Sequence, residues 1–352
     1  MNNDQSSDHL VLGGLLFLVF SLVVALVFVY TRAGDTESGT APTTTAEITN
    51  EAPTVDSVLI TYLDTDISSL SQVDLQLGGQ KQVFVQGTVS DNNGTELDGA
   101  NTNGDLKDIE VVLRRSGASA GNSCTTNLND CYRGSFVSIP ANPTACTFTN
   151  IDATSSHYSC AFNLEYFTDG TLADGGQFAA ENWVAEVKVT DLSDDVGTLS
   201  ETTEVAGLLG LDIPLEIGYG SFTLGATTTP AETYAAGTNV IHTLQQKGNV
   251  IADVVVQGSG TGPSADGVMA CSALGSIPVA NQKWATSSVA YSDAISLSAT
   301  GVDTDIAVQY QQDDDFVSNP SVKKLYWHIG IPTTGVRGTC TGQNTISIVA
   351  GS

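Results

Sequence analysis

Positive charge is scarce in this chain. Twelve Lys and Arg stand against 39 Asp and Glu, a formal net charge of −27 over 352 residues. Binding to a phosphate backbone needs clustered Lys and Arg, so nucleic acid is excluded as a partner. The four histidines, His9, His157, His242 and His328, are scattered and form no HExxH, which removes the helical zinc-hydrolase pattern. None of the six cysteines stands in a CxxC pair, which removes the zinc-ribbon and thioredoxin readings. None precedes Cys124, so a lipid-modified N-terminal cysteine is excluded. Past residue 30 no long stretch has a 3.6-residue period, and no further helix is expected. What is present in quantity is apolar: at 41% hydrophobic residues the chain can bury a real core, and wholesale disorder is excluded.

The one long hydrophobic run covers residues 10–30 (LVLGGLLFLVFSLVVALVFVY), 21 residues without a charge. At ~1.5 Å rise per residue a helix of that length reaches ~31 Å, against a hydrocarbon core of ~30 Å. A signal-peptide core spans only about 7–15 residues, and residues 1–9 hold Asp4 and Asp8 but no Lys or Arg. The expectation is therefore an uncleaved single-pass transmembrane helix, with a cleaved signal as the alternative. A pilin-like helix, signalled by Gly13-Gly14, is a third reading. Arg32, the only flanking side-chain cation, favours a cytoplasmic C-terminal side. The cysteines argue the other way, since an even, segregated set fits an oxidising compartment. The expected location is the cell membrane, with the C-terminal domains extracellular at the cell surface.

The cysteines are Cys124, Cys131, Cys146, Cys160, Cys271 and Cys340. If pairs stay within halves, Cys271–Cys340 is forced. The pairing of the other four stays open, with short-loop closure favouring Cys124–Cys131 and Cys146–Cys160.

Five segments follow from composition and pattern. A short N-terminal segment (1–9) and the apolar run (10–30) are followed by residues 31–52, which hold seven Thr and almost nothing large and apolar, so they read as a stalk. From 53 onward short period-2 runs alternate with Gly, Asn, Asp and Pro. Strands are expected at 55–63, 83–90, 109–115, 135–139, 146–151, 158–167, 182–191 and 198–205. A second set falls at 212–224, 239–246, 250–257, 268–274, 289–298, 303–310, 324–331 and 343–349. This spacing predicts an all-β chain: two antiparallel β-sandwich domains, 53–206 and 207–352, behind one N-terminal transmembrane helix.

Pro53-Thr54-Val55, VQGTVSDNNG (85–94) and WVAEVKVTD (183–191) resemble a bacterial or archaeal extracellular Ig-like sandwich of the PKD or cadherin type. TLQQKGNVIADVVVQG (243–258) and LYWHIGIPTTGVRGTCTGQNTISI (325–348) are similar to another Ig-like module. The resemblance implies a membrane-tethered surface protein with stacked Ig-like sandwiches, a group mostly without catalytic activity.

The richest oxygen-ligand segment is SDNNGTELDGANTNGDLKD (90–108). Asp91, Asn93, Glu96, Asp98 and Asp105 are its candidate calcium ligands, because Ca²⁺ takes six to eight oxygens from carboxylates, amides and backbone. The spacing is not that of an EF-hand. Gly117-Ala118-Ser119-Ala120-Gly121 matches G-x-S-x-G, but a Cys-bearing polar loop follows where a nucleophile elbow needs a helix. Trp284, in the polar segment NQKWATS, is the candidate exposed binding aromatic, whereas Trp183 reads as core.

Three functions compete. The first is a structural or adhesion-type surface protein binding an extracellular protein or glycan through loops and sheet edges. The second is a carbohydrate-binding module or hydrolase on the same scaffold, with Asp303 and Asp305 as its carboxylate pair. The third is a self-associating subunit of a pilus-like filament.

Overall fold

The computed structural model describes residues 46–47, 49–97, 104–118, 127–135, 145–173, 175–229, 239–259, 268–312 and 315–351. The chain divides into two compact units, 1–49 and 50–352. The second unit is nearly all β.

Its first ten strands are β1 (Thr54–Val55), β2 (Leu59–Thr61), β3 (Gln72–Val73), β4 (Gln80–Ser90), β5 (Leu106–Arg115), β6 (Cys131–Ser135), β7 (Ala145–Asn150), β8 (Ser155–Glu165), β9 (Trp183–Asp191) and β10 (Val196–Val205). One sheet has the order β1-β4-β8-β7, with β2 also on β4. The other has the order β3-β10-β9-β5-β6, antiparallel except for β3, which lies parallel on β10. Alternation decides the faces. In β9 every second residue, from Trp183 through Ala185, Val187 and Val189 to Asp191, is buried. These side chains join Val83, Val85 and Val89 of β4, Ile109 and Val111 of β5, and Tyr158 and Phe162 of β8 in one core. Trp183 sits at its heart, 0% exposed, with its indole N–H donating to the Asp169 carbonyl at 2.9 Å. Burying a ring of that size stabilises by about 4–6 kcal/mol.

The second set comprises β11 (Leu211–Asp212), β12 (Ile241–Gln246), β13 (Ala252–Ser259), β14 (Met269–Cys271), β15 (Ser276–Ile277), β16 (Gln282–Ala285), β17 (Ile295–Ser296), β18 (Val302–Val308), β19 (Val322–Ile329), β20 (Cys340–Thr341) and β21 (Gln343–Ala350). They form a sheet β11-β12-β19-β16-β17, a sheet β18-β13-β21 and a small sheet β15-β14-β20. Leu244, Val254, Val256, Trp284, Ile306, Val308, Leu325 and Trp327 make the second core. Two disulfides join directly opposed residues of neighbouring strands: Cys146–Cys160 across β7 and β8, and Cys271–Cys340 across β14 and β20. Cys131 is also disulfide-bonded, and Cys124 lies outside the described residues.

The two cores are bridged by a third cluster, in which Tyr166 and Phe167 pack with Tyr310. Two buried carboxamides fasten the same junction. Asn129 Nδ2 donates to the carbonyls of Phe167 (3.0 Å) and Gln311 (2.7 Å). Asn249 Nδ2 donates to those of Thr168 (2.8 Å) and Ala206 (3.1 Å), while its Oδ1 accepts the Leu208 N–H at 2.5 Å. The chain approaches itself so closely here that a Cβ on Gly248 would lie 1.9 Å from the Leu208 carbonyl oxygen. Across the junction, Asp169 accepts a hydrogen bond from Tyr310 Oη (3.4 Å), while Arg115 Nε of its own half pairs with it at 2.8 Å.

Three expectations change. The single-pass, membrane-held location is corrected: among the described residues no helix is long and apolar enough to cross a membrane. These residues go instead into strands of at most 11 residues and a three-residue 3-10 helix, Val279–Asn281. The run at 10–30 and most of the stalk lie outside the described residues. Of the long strand expected at 212–224 only Asp212, the end of β11, lies in a strand, and of 289–298 only Ile295–Ser296. Pro214, Gly218 and Gly220 interrupt the first run, since proline cannot donate to a ladder and glycine adds no side chain to pack. Finally, β16 carries Trp284 into the core, in a segment read from its polar neighbours as exposed.

Candidate metal centre

Three aspartates from distant parts of the chain meet at one end of the first core. Asp91 directly follows β4, Asp105 directly precedes β5, and Asp191 is the last residue of β9. β5 pairs with β9 so that Leu106 lies opposite Asp191, which sets Asp105 beside it. β4, in the facing sheet, delivers Asp91 to the same end. Each carboxylate offers an oxygen, and these oxygens lie within 4.8 Å of one another.

Backbone hydrogen bonds fix each carrier. The Asp91 N–H donates to the Thr154 carbonyl (3.0 Å), and its Oδ1 accepts the Asn93 N–H (2.8 Å). The turn continues through Gly94, whose φ of 120° suits only glycine, and the Gly94 carbonyl accepts the Asp105 N–H at 3.3 Å. Asp191 Oδ1 accepts the N–H groups of Ser193 and Asp195, both at 2.8 Å, an Asx-type turn that closes the β9–β10 hairpin. The segment entering β1 is tied in as well. Asn50 Nδ2 donates to Asp191 Oδ2 (2.7 Å) and Asp195 Oδ2 (3.0 Å), and the Glu51 N–H donates to Asn93 Oδ1 (3.0 Å).

Negative charge is crowded and poorly hydrated at this point. Asp191 is 0% exposed, Asp91 is 2% exposed and Asp105 is half-buried. Burial pushes the Asp91 carboxyl above the usual carboxylate range, and repulsion from Asp105, Asp191 and Glu51 adds to it, against the lowering effect of the Asn93 N–H. Burial also raises Asp105, with Asp191 contributing. Lys107 does not neutralise the group, because its Nζ lies 2.5 Å from Asp194 Oδ1. Among the described residues none of the three is ion-paired to a Lys or Arg. Asp91 Oδ2 is sealed from solvent and accepts no hydrogen bond.

The residues expected as ligands thus separate. Asp91 and Asp105 come together. Exposed Asn93 braces the loop through Glu51, and Glu96 Oε1 accepts from Asn150 Nδ2 at 3.3 Å. Asp98 lies outside the described residues, as does Ser119 of the G-x-S-x-G stretch. Asp191 escaped the sequence reading, although the alternation of WVAEVKVTD carried a signal: it places a carboxylate at an inward position.

Trp284, expected as an exposed binding aromatic, is 1% exposed and lies directly opposite Trp327, so it is a core residue. The carboxylates suggested for hydrolysis, Asp303 and Asp305, are exposed on an open groove of about 770 Å³. There Asp303 Oδ1 accepts the Asp305 N–H at 2.9 Å, a turn-forming contact.

No protein-family model matches this chain. No curated protein matches it either. One solved structure, from a chaperone–tip adhesin complex of CFA/I fimbriae biogenesis, superposes with a TM-score of 0.25 at 9% identity, covering 84% of each chain. Similarity at that level carries no argument about this chain.

Proposed function

We propose that this protein is a non-catalytic, adhesion-type structural protein of an oxidising compartment, which holds a protein or glycan partner through loops and sheet edges. The observation that carries the reading is the junction between the two cores. Buried Asn129 and Asn249, the Asp169–Tyr310 contact and the Tyr166–Phe167–Tyr310 cluster tie the halves through groups that are expensive to separate. A binding scaffold benefits from such a joint, because loops kept at a fixed spacing lose little freedom when they engage a partner. An enzyme that closes over its substrate needs the opposite, a hinge. The cross-strand disulfides agree with an oxidising location and resist local fraying. The net charge of −27 opposes self-association and contact with anionic surfaces, which restricts partners to those that bind by shape or by positive charge.

The test is to immobilise the full chain, challenge it with panels of glycans and matrix-type proteins, and assay the same panels for released product. Saturable binding without turnover is expected. Hydrolysis of any glycan or ester at a rate proportional to protein would overturn the reading, and so would failure to bind any member. Self-association is a second reading: the net charge opposes it, and β21 favours it. This uncharged eight-residue strand is an outer strand of its sheet among the described residues, with none of the charges or prolines that usually protect an edge. Light scattering on the full chain would show a mass that rises with concentration.

A further inference from the structure

We propose that Asp91, Asp105 and Asp191 bind a divalent cation of the calcium type, which clamps the end of β4, the start of β5, the β9–β10 hairpin and the chain entering β1 into one unit. This goes beyond the adhesion reading and stands independently of it.

Three observations converge. The first is donor chemistry: three carboxylate oxygens lie within 4.8 Å of one another, with no His or Cys in the group. An all-oxygen set selects hard cations such as Ca²⁺, Mg²⁺ or Mn²⁺ over zinc or copper. Irregular loop geometry of this kind suits calcium, which accepts a flexible shell, better than magnesium, which demands a near-ideal octahedron. The second is an unbalanced charge. Two of the carboxylates are fully buried, and buried charges are stable only when paired or bound to a metal. The nearest lysine in sequence is committed to Asp194. The third is an orphaned ligand atom. Asp91 Oδ1 holds the Asn93 N–H, whereas Oδ2 is buried without any donor. A polar atom left so is costly unless something fills its coordination.

The cation explains why the surroundings take the form they do. Asn50 reaches Asp191 and Glu51 reaches Asn93, so the entering chain is fastened to loops that the ion would itself hold. Three carboxylate oxygens within 4.8 Å repel one another, and that repulsion becomes attraction once a doubly charged ion stands between them.

The experiment uses the full chain stripped with chelator, then titrated with CaCl₂ and, separately, MgCl₂, read by calorimetry and by the thermal unfolding midpoint. Saturable calcium binding and a rise of several degrees in Tm are expected, with magnesium weaker. Asp105→Asn is the decisive variant, because Asp105 is half-buried and its carboxylate makes no turn contact of the kind Asp191 makes. It should lower calcium affinity at least about tenfold, the factor that ~1.4 kcal/mol carries, and abolish most of the Tm rise while keeping a β-type circular dichroism spectrum. Asp64→Asn, at an exposed site, should leave both unchanged. Absence of saturable calcium binding to the parent chain overturns the proposal, as does undiminished binding by a folded Asp105→Asn. Should Asp105→Asn fail to fold, Asp91→Asn replaces it under the same two criteria.

Discussion

Replacing Asn249 with alanine tests the junction at its most heavily bonded point. The carboxamide is 1% exposed and makes three hydrogen bonds: two from Nδ2 to the Thr168 and Ala206 carbonyls, and one accepted by Oδ1 from Leu208. Alanine leaves two buried carbonyls and one half-buried N–H without these partners. At about 1–2 kcal/mol for each carbonyl and about 1 kcal/mol for the N–H, the loss comes to about 3–5 kcal/mol. The backbone bond from the Asn249 N–H to the Leu208 carbonyl (2.9 Å) survives, so the connection should loosen rather than vanish. The assay is urea unfolding of the full chain with the midpoint and slope both fitted, alongside proteolysis timed at residues 206–210. The midpoint should fall by the amount that this energy and the parent slope dictate, and the linker should be cut faster. Gln82→Ala, which removes one exposed bond to Asn163, should stay within about 0.5 kcal/mol. A loss below about 1 kcal/mol for Asn249→Ala would refute the reasoning, because the amide would then be replaceable by water and the junction open to it.

The same structure fixes other outcomes. Converting Cys271 and Cys340 to alanine opens a loop with a sequence separation of 69 and should cost about 4 kcal/mol; Cys146 and Cys160, 14 apart, should cost about 3 kcal/mol, both read by denaturant unfolding. Trp284→Ala should destabilise by about 3–5 kcal/mol in thermal unfolding, the cost of a core cavity, where loss of an exposed platform would have left stability nearly unchanged. Asp169 makes stability pH-dependent. Its burial outweighs the pairing with Arg115 and, with repulsion from Asp130, lifts its carboxyl from 3.8 to about 6. Between those values the native chain holds a proton that the unfolded chain has released, so stability falls as pH rises through the window, by up to about 3 kcal/mol. Tyr310, which donates to Asp169, and Glu181, which shares Arg115, are the other titratable neighbours. In a Tm-versus-pH series Asp169→Asn should flatten that fall; an unchanged slope would assign it to other carboxylates.

Much of the β architecture is legible in the sequence alone. β4, β5, β8, β9, β10, β12, β13, β18, β19 and β21 fall where period-2 alternation put them, because alternation is the local imprint of a sheet with one dry face. The Cys271–Cys340 link followed from segregated counts. Two of the three residues of the candidate metal centre are legible too, since Asp91 and Asp105 flank one connection. Its third member is not: Asp191 lies a hundred residues from Asp91, and composition does not say which strand ends at which end of a sandwich.

What the residues determined by themselves is therefore what depends on near neighbours: strand positions, inward faces, turns and the sign of the charge. Tertiary structure alone decided three things. It put Trp284 in the core, because pairing β16 with β19 sets it against Trp327 regardless of its polar neighbours. It made rivets of Asn129 and Asn249 by burying them between two cores. It brought Asp191 to Asp91 and Asp105 through the β5–β9 register, because a binding site forms from what the sheets carry to one place, and sheet pairing joins segments by shape and burial with no regard to their distance along the chain.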